Sequence, residues 1–401
     1  MTGRALSERA LIVLLAAVTA TGPVALSIYM PVVPLARAAF GVSVAAASTT
    51  VSAPLVAFAI GVFVYGPLSD HYGRRPVILA GLAIYLVGST LALLAPSIGV
   101  LTLGRVVSAL GTSAGVTVAR AAMGDLYERD RMAHKLATLT MVMVLANSLA
   151  PPGGGALAEA LGWRAVFALL LASGAVILVA AWRYLPETRR SAEARRPRQI
   201  MAATLALART PAFLGYAFQN AVIYTVFFVF VALVPYVFKT LGRSAAEYGL
   251  WYVSISAGYF LGNWVVSRYT FRLGMQRLIR AGIVLQALAA LAGWALAAAG
   301  LWHPFWLFAP WAVIGFAQGL ALPNLTASAV ALAPRHAGAA SGLLGFSQQM
   351  SGALAVQLMA MTSTATPLPV TCFVAVTAVL ALAVLQLGPG SGRQTSAAGS
   401  G

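Results

Sequence analysis

A carboxylate, an imidazole and two guanidiniums fall within six residues in the stretch Gly66-Pro67-Leu68-Ser69-Asp70-His71-Tyr72-Gly73-Arg74-Arg75-Pro76. The chain around them is 60% hydrophobic and only 9% charged, so the ions gather where the backbone leaves an apolar environment. An Asp four residues before an Arg can form an ion pair. A carboxylate at a helix end can also face the positive N-terminus of a neighbouring helix. Both contacts can be made and broken, which is the chemistry of a latch rather than of bond making. Gly66 and Gly73 bracket the loop, and Gly73 suits a tight turn.

A second constellation is Leu101-x-x-x-Arg105-x-x-Ser108-x-x-Gly111. Arg105, Ser108 and Thr112 stand at i, i+3 and i+7, on one helix face. An Arg inside a long apolar run is costly and marks a coupling or substrate site by default. Catalytic chemistry finds no support. His303 and His336 have no metal-ligand company, and no phosphate-cradling loop, nucleophile triad or zinc spacing occurs. No metal, cofactor or enzymatic activity is expected.

The elements that must hold these residues are membrane helices. A mean hydropathy of +0.86 over 401 residues places the chain among polytopic α-helical membrane proteins. A span needs roughly 20 apolar residues, and twelve such runs occur: Ala10–Met30, Ala47–Ser69, Val77–Ala95, Leu101–Met123, Leu136–Leu157, Ala165–Leu185, Phe213–Phe238, Gly249–Arg268, Leu278–Gly300, Pro304–Val330, Gly338–Met361 and Val370–Leu387. The first run is too long for an ordinary signal-peptide core and reads as an uncleaved span. The net charge of +17 comes from basic residues in short loops, which is the positive-inside pattern and not that of a nucleic-acid binder. With an inner N-terminus, 21 of the 26 Lys and Arg fall on the cytoplasmic side. Both termini are therefore expected in the cytoplasm and the basic side against lipid headgroups. The lone Cys372 permits no disulfide within the chain.

Four segments follow: a six-helix bundle over residues 1–185, a basic cytoplasmic linker over 186–209, a second six-helix bundle over 210–388 and a Gly- and Ser-rich tail over 389–401. The bundles repeat one another at a constant offset of 201: Pro34 with Pro235, Gly41 with Gly242, Ser43 with Ser244, Gly61 with Gly262, Gly73 with Gly274, Ile78 with Ile279 and Gly81 with Gly282. Transporters built from repeats bind substrate near the midplane, between the halves.

The order Gly-x-Leu-x-Asp-x-x-Gly-Arg-Arg after span 2 resembles the signature loop of the major facilitator superfamily. Arg105 with Ser108 resembles its span-4 motif, with Ser108 in place of the usual Gln. Ala150-Pro151-Pro152-Gly153-Gly154-Gly155 in span 5 resembles the antiporter motif of its drug exporters. Arg120 and Asp125 closing span 4, Tyr29-Met30-Pro31 closing span 1 and the Gly338–Phe346 stretch in span 11 narrow the likeness to the bicyclomycin-resistance and chloramphenicol-efflux subfamily of drug:proton antiporters. The resemblance implies two six-helix bundles rocking about a central site, with Gly66, Asp70, Gly73, Arg74, Arg75, Arg120 and Asp125 in gating, and Pro151, Gly154 and Gly155 in close helix packing. It also implies an inner-membrane monomer with a small-molecule substrate, protons and the lipid bilayer as its partners.

That subfamily usually carries an acid two residues before the span-1 Tyr, where this chain has Ser27. None of its nine carboxylates falls at the expected midplane. Lipophilic cations favour a buried carboxylate, so neutral or non-cationic amphipathic drugs fit better. Ser27, Tyr29, Asn147, Asn220, Tyr224, Phe227, Trp311, Gln318, Gln348 and Gln349 are the cavity candidates. The expected function is export of such compounds by proton-coupled antiport. An exporter or facilitator of an endogenous metabolite without proton coupling is a second reading, and a non-transporting membrane sensor a remote third.

Overall fold

The computed structural model describes residues 7–126, 129–189, 205–333, 337–362 and 366–387. The tail 389–401, and residues 190–204 of the expected linker, lie outside the described residues. Twelve long helices run α1 Glu8–Ser27, α2 Val44–Tyr72, α3 Arg74–Leu93, α4 Ile98–Leu126, α5 Arg129–Leu161, α6 Arg164–Tyr184, α7 Pro211–Thr240, α8 Ala245–Leu273, α9 Met275–Ala298, α10 Pro304–Ala331, α11 Ala337–Met359 and α12 Leu368–Leu387. After α1 a short 3₁₀ turn, Met30–Val32, leads into a helix over Val33–Phe40. Each apolar run coincides with one long helix. Several helices overshoot the run, as α5 does by starting at Arg129 rather than Leu136. The backbone bonds that hold a helix do not need apolar side chains, so helices continue beyond the slab that hydropathy detects.

Ten of the twelve are long and apolar enough to cross a membrane by composition alone, and α8 and α11 are the exceptions. Both have a reason to be polar. α8 packs on α5, and α11 packs on α2, across the boundary between the two halves. Polar side chains there face protein and a cavity rather than hydrocarbon.

The sequence repeat is a structural repeat. In the first half α1 packs on α4, α5 and α6, α2 on α4, and α3 on α4 and α6. In the second, α7 packs on α10, α11 and α12, α8 on α10, and α9 on α10 and α12. Residues 201 apart do the same work. Ser43 and Ser244 each cap the following helix, accepting from Ala46 N and Glu247 N at 3.1 Å. Gly73 and Gly274 make the turns into α3 and α9 at φ +103° and +80°, a region open to glycine and strained for other residues. Gly81 and Gly282 bring α3 and α9 against α4 and α10, where an added Cβ would lie 2.8 Å from Gly111 O and 2.6 Å from Ala317 O respectively. Ile78 and Ile279 are both buried.

Close approach is the main packing device. α3 and α4 meet through Gly88, Gly104 and Gly111, where any Cβ would strike the facing backbone. Among helices in lipid, small residues allow the contact that replaces a hydrophobic driving force. We predict that Gly111→Leu lowers the stability of the purified protein by about 1–3 kcal/mol or more, read as a depressed melting temperature in detergent. Gly215→Leu on α7, where an added Cβ meets nothing within 4 Å, should leave it within a degree or two. Equal melting of the two variants would contradict this packing account.

Candidate functional site

The first-half helices bury a guanidinium. Arg105 on α4 is 6% exposed. Its Nε donates to Thr50 O on α2 at 2.7 Å and its Nη1 to Ala25 O on α1 at 3.3 Å. Its Cζ lies 4.0 Å from the centre of the Tyr29 ring, and the Tyr29 hydroxyl shares a hydrogen bond with Thr50 Oγ1 at 3.0 Å. The charge is thus balanced by carbonyl dipoles and an aromatic face rather than by an anion.

Arg105 forms part of the wall of a central cavity of about 390 Å³, within the usual range for a small-molecule site. Ser108, Thr112 and Arg120 continue along the same face of α4. Ser27 and Asn147 line it too, joined by a 2.6 Å hydrogen bond from Ser27 Oγ. From the second half come Tyr224, Phe227, Gln318, Gln348 and Gln349. Tyr29, Asn220 and Trp311 stand behind the wall instead. Asn220 is fully buried, taking Gln348 Nε2 at 2.5 Å and donating to Thr326 Oγ1 at 3.1 Å. Trp311 packs on Phe230 with ring centroids 3.6 Å apart. Phe58, Tyr252, Ser256 and Tyr259 line the cavity without having been expected. The last three follow i, i+4, i+7 on α8, a period readable in the sequence. Among the described lining residues Arg105 and Arg120 are the only charged side chains.

Near the turn between α2 and α3, one guanidinium gathers two carboxylates. Arg74 Nη1 meets Asp70 Oδ1 at 2.5 Å and Ser69 Oγ at 2.6 Å, while its Nε meets Asp125 Oδ2 at 2.9 Å. Asp125 therefore pairs with Arg74, and Arg120 lies in the cavity wall. Glu187, read from sequence as part of a linker, caps α3. Its carboxylate accepts from the backbone N–H of Arg74 at 2.9 Å, Arg75 at 3.2 Å and Arg189 at 2.9 Å. Arg75 Nη2 reaches Trp182 O at 2.6 Å, and Arg189 Nη1 reaches His71 O at 2.6 Å. Gly66 leaves ordinary space, an added Cβ standing 3.9 Å from Thr117 Cγ2.

At the opposite end the two halves are joined. Ser52 Oγ donates to Gln357 Oε1 at 3.0 Å, and Gln357 Nε2 to Ala45 O at 3.3 Å. Gly154 lies against the backbone of Ile28 within the first half, and Gly155 against Ala245 across the seam. Gly249 in turn fits beside Pro151 and Pro152. Glu159 at the end of α5 accepts the N–H of Ala246 in the first turn of α8 at 2.9 Å. The cavity wall runs from Arg105, which is buried, to Arg120, which is exposed and lies on the Asp70 side of α4.

Two measurements follow from these contacts. Partial burial pushes the Glu187 carboxyl up, but backbone donors, Arg189 before Arg74, Arg75 and Thr188, outweigh it and hold the group below the usual carboxylate range. Its contribution to stability is therefore complete above the ordinary Glu range and is lost as pH falls through the lowered value. Glu187→Gln should flatten part of the acid limb of the melting-temperature profile, and an unchanged limb would refute the cap. Glu159→Gln should loosen the far seam. Electron-spin distance measurements between labels at Leu161 and Arg243 should then show a larger long-distance population than in the parent, and identical distributions would refute a latch.

A Major Facilitator Superfamily profile matches residues 15–356. Multidrug resistance protein D of Escherichia coli (strain K12) is 28% identical over 352 residues, 88% of each chain. The bicyclomycin resistance protein homolog of Haemophilus influenzae is 28% identical over 313 residues, 75% of this chain and 76% of that protein. Among solved structures, a bacterial homolog of the human lysosomal transporter Spinster, in an inward-facing and occupied conformation, superposes with a TM-score of 0.76 at 18% identity. The match covers 94% of this chain and 96% of that one, and at that identity it speaks to fold alone.

Proposed function

The chain belongs to the major facilitator superfamily, as a multi-pass membrane transporter, and from that premise we propose that it exports small neutral or non-cationic amphipathic drugs. Relatives named for multidrug and bicyclomycin resistance support the drug assignment. The observation that carries the charge preference is the cavity wall, which holds two guanidiniums and, among the described residues, no carboxylate. A lipophilic cation entering it would lose hydration and gain no counter-charge.

The proposed cycle is alternating access by a monomer in the inner membrane, with the Asp70 end and both termini facing the cytoplasm. The conformation described here has its far seam closed by Glu159, Gln357 and the α5 glycines. For the opposite state, Asp70 would exchange part of its contact with Arg74 for the N-terminus of α11. Proton antiport is assigned to Asp125, whose protonation would weaken its hold on Arg74. The absence of a carboxylate from the described wall favours a second reading, export of an endogenous metabolite with no proton coupling.

Efflux from proteoliposomes with and without an imposed pH gradient separates these. We expect chloramphenicol to be transported and ethidium not, and Asp125→Asn to remove the response to the gradient. Equal transport of both drugs would end the charge argument. Gradient sensitivity that survives in Asp125→Asn would end the coupling assignment. Wild-type transport indifferent to the gradient would establish the second reading.

A further inference from the structure

We propose that the cavity selects amphipathic organic monoanions, received by Arg120 at its exposed end and drawn toward Arg105 at its buried end. The proposal rests on the transport reading above and narrows its substrate class. Arg105, Ser108, Thr112 and Arg120 lie on one face of α4 and all border the cavity. The two guanidiniums are 15 residues apart, about 22 Å along the axis at about 1.5 Å per residue. One small anion therefore meets them in succession rather than together.

Their states differ. Arg105 is buried, with Nε and Nη1 held by carbonyls of α2 and α1. Arg120 is exposed. It has no hydrogen-bond or ion-pair partner among the described residues, and the nearby carboxylate of Asp125 is engaged by Arg74. Alternating access obliges the exposed end to close over whatever lines it. A guanidinium with no partner among the described residues resists that closure, because removing a charge from water without a counter-charge is costly. A bound anion supplies the missing charge, so the substrate itself makes occlusion favourable. A cation would meet two fixed positive charges with no described anion in the wall, and a neutral molecule would leave Arg120 with no counter-charge among the described residues. Phe58, Phe227 and Phe228 in the same wall suit a flat aromatic body.

The test uses three probes sharing one ring system: 1-naphthalenesulfonate, 1-naphthalenesulfonamide and 1-naphthylmethylammonium. Uptake into proteoliposomes of the full-length protein is measured, with chloramphenicol as reference. The sulfonate should be transported about tenfold faster than the sulfonamide, the size of one charge-assisted hydrogen bond, and the ammonium not above protein-free vesicles. Arg120→Gln should lower the sulfonate-to-sulfonamide ratio about tenfold, and Arg120→Lys should retain most of it. An Arg120→Gln ratio equal to that of the parent overturns the proposal. So does transport of the sulfonamide and chloramphenicol without the sulfonate, which would leave the exporter reading standing. Failure of all four compounds to move would remove the exporter reading, and this inference with it.

Discussion

A guanidinium inside a membrane protein must be satisfied by the protein. On insertion scales an Arg at the bilayer centre costs about 2.5 to 3.5 kcal/mol, and Arg105 meets that cost without an anion. Thr50 O and Ala25 O take its hydrogens and the Tyr29 ring faces its charge. Three helices are thereby fixed to one another at a point deep in the first half. Both carbonyls lie within α2 and α1, and each can accept a second bond beyond its place in the helix ladder. Tyr29 sits where α1 gives way to the 3₁₀ turn. The geometry of the cavity wall follows from this anchor, and so does its sign. A charge balanced by dipoles keeps its field, which Asp or Glu in the same place would have cancelled.

The two ends of the molecule use related devices in different states. At the far end, Glu159 on the last turn of α5 meets the first turn of α8. At the Asp70 end, the last turn of α2 and the first turn of α11 offer a pairing of the same kind. Each pairing sets a carboxylate of the first half before a helix N-terminus of the second, where the orphan N–H groups and the dipole favour negative charge. In the conformation described, the first pairing is made, and Asp70 is held by Arg74 within its own half. Glycines at the far seam make the closed state tight. The contacts at Gly155 and Gly249 are backbone to backbone across the two halves and leave no room for a side chain between them.

Most of the architecture was legible because membrane helices declare themselves locally. The apolar runs, the turns at Gly73 and Gly274 and the caps at Ser43 and Ser244 need only neighbouring residues to be recognised. The cavity was legible in part, since Arg105, Ser108 and Thr112 share a face that any helix of that sequence presents. Trp311 and Asn220 show where this stops. Their helices are apolar nearly all round, so no polar stripe marks which side meets the cavity. Glu187 and Glu159 were missed for another reason. Their partners are backbone N–H groups 113 and 87 residues away, and a backbone donor leaves no trace in the residue types around it.

The ions around Asp70 belong to one half. At the matching position the second half has Phe271, which is fully exposed, beside a turn at Gly274 that keeps the same backbone form. The turn is thus a requirement of the fold, common to both bundles, whereas the ions are an addition to one of them. A switch between two bundles needs a charged group on one face and a helix N-terminus on the other, because two carboxylates facing each other would repel. Concentrating Asp70, Arg74, Asp125 and Glu187 in the first half leaves the second free to present only its helix end. In the state described, those acids are engaged within their own half, Asp70 and Asp125 by Arg74 and Glu187 by backbone N–H groups. Under the proposed cycle, opening and closing would compare two sets of contacts for the same carboxylate, and a small change of charge at Arg74 or Asp125 would weigh on the balance.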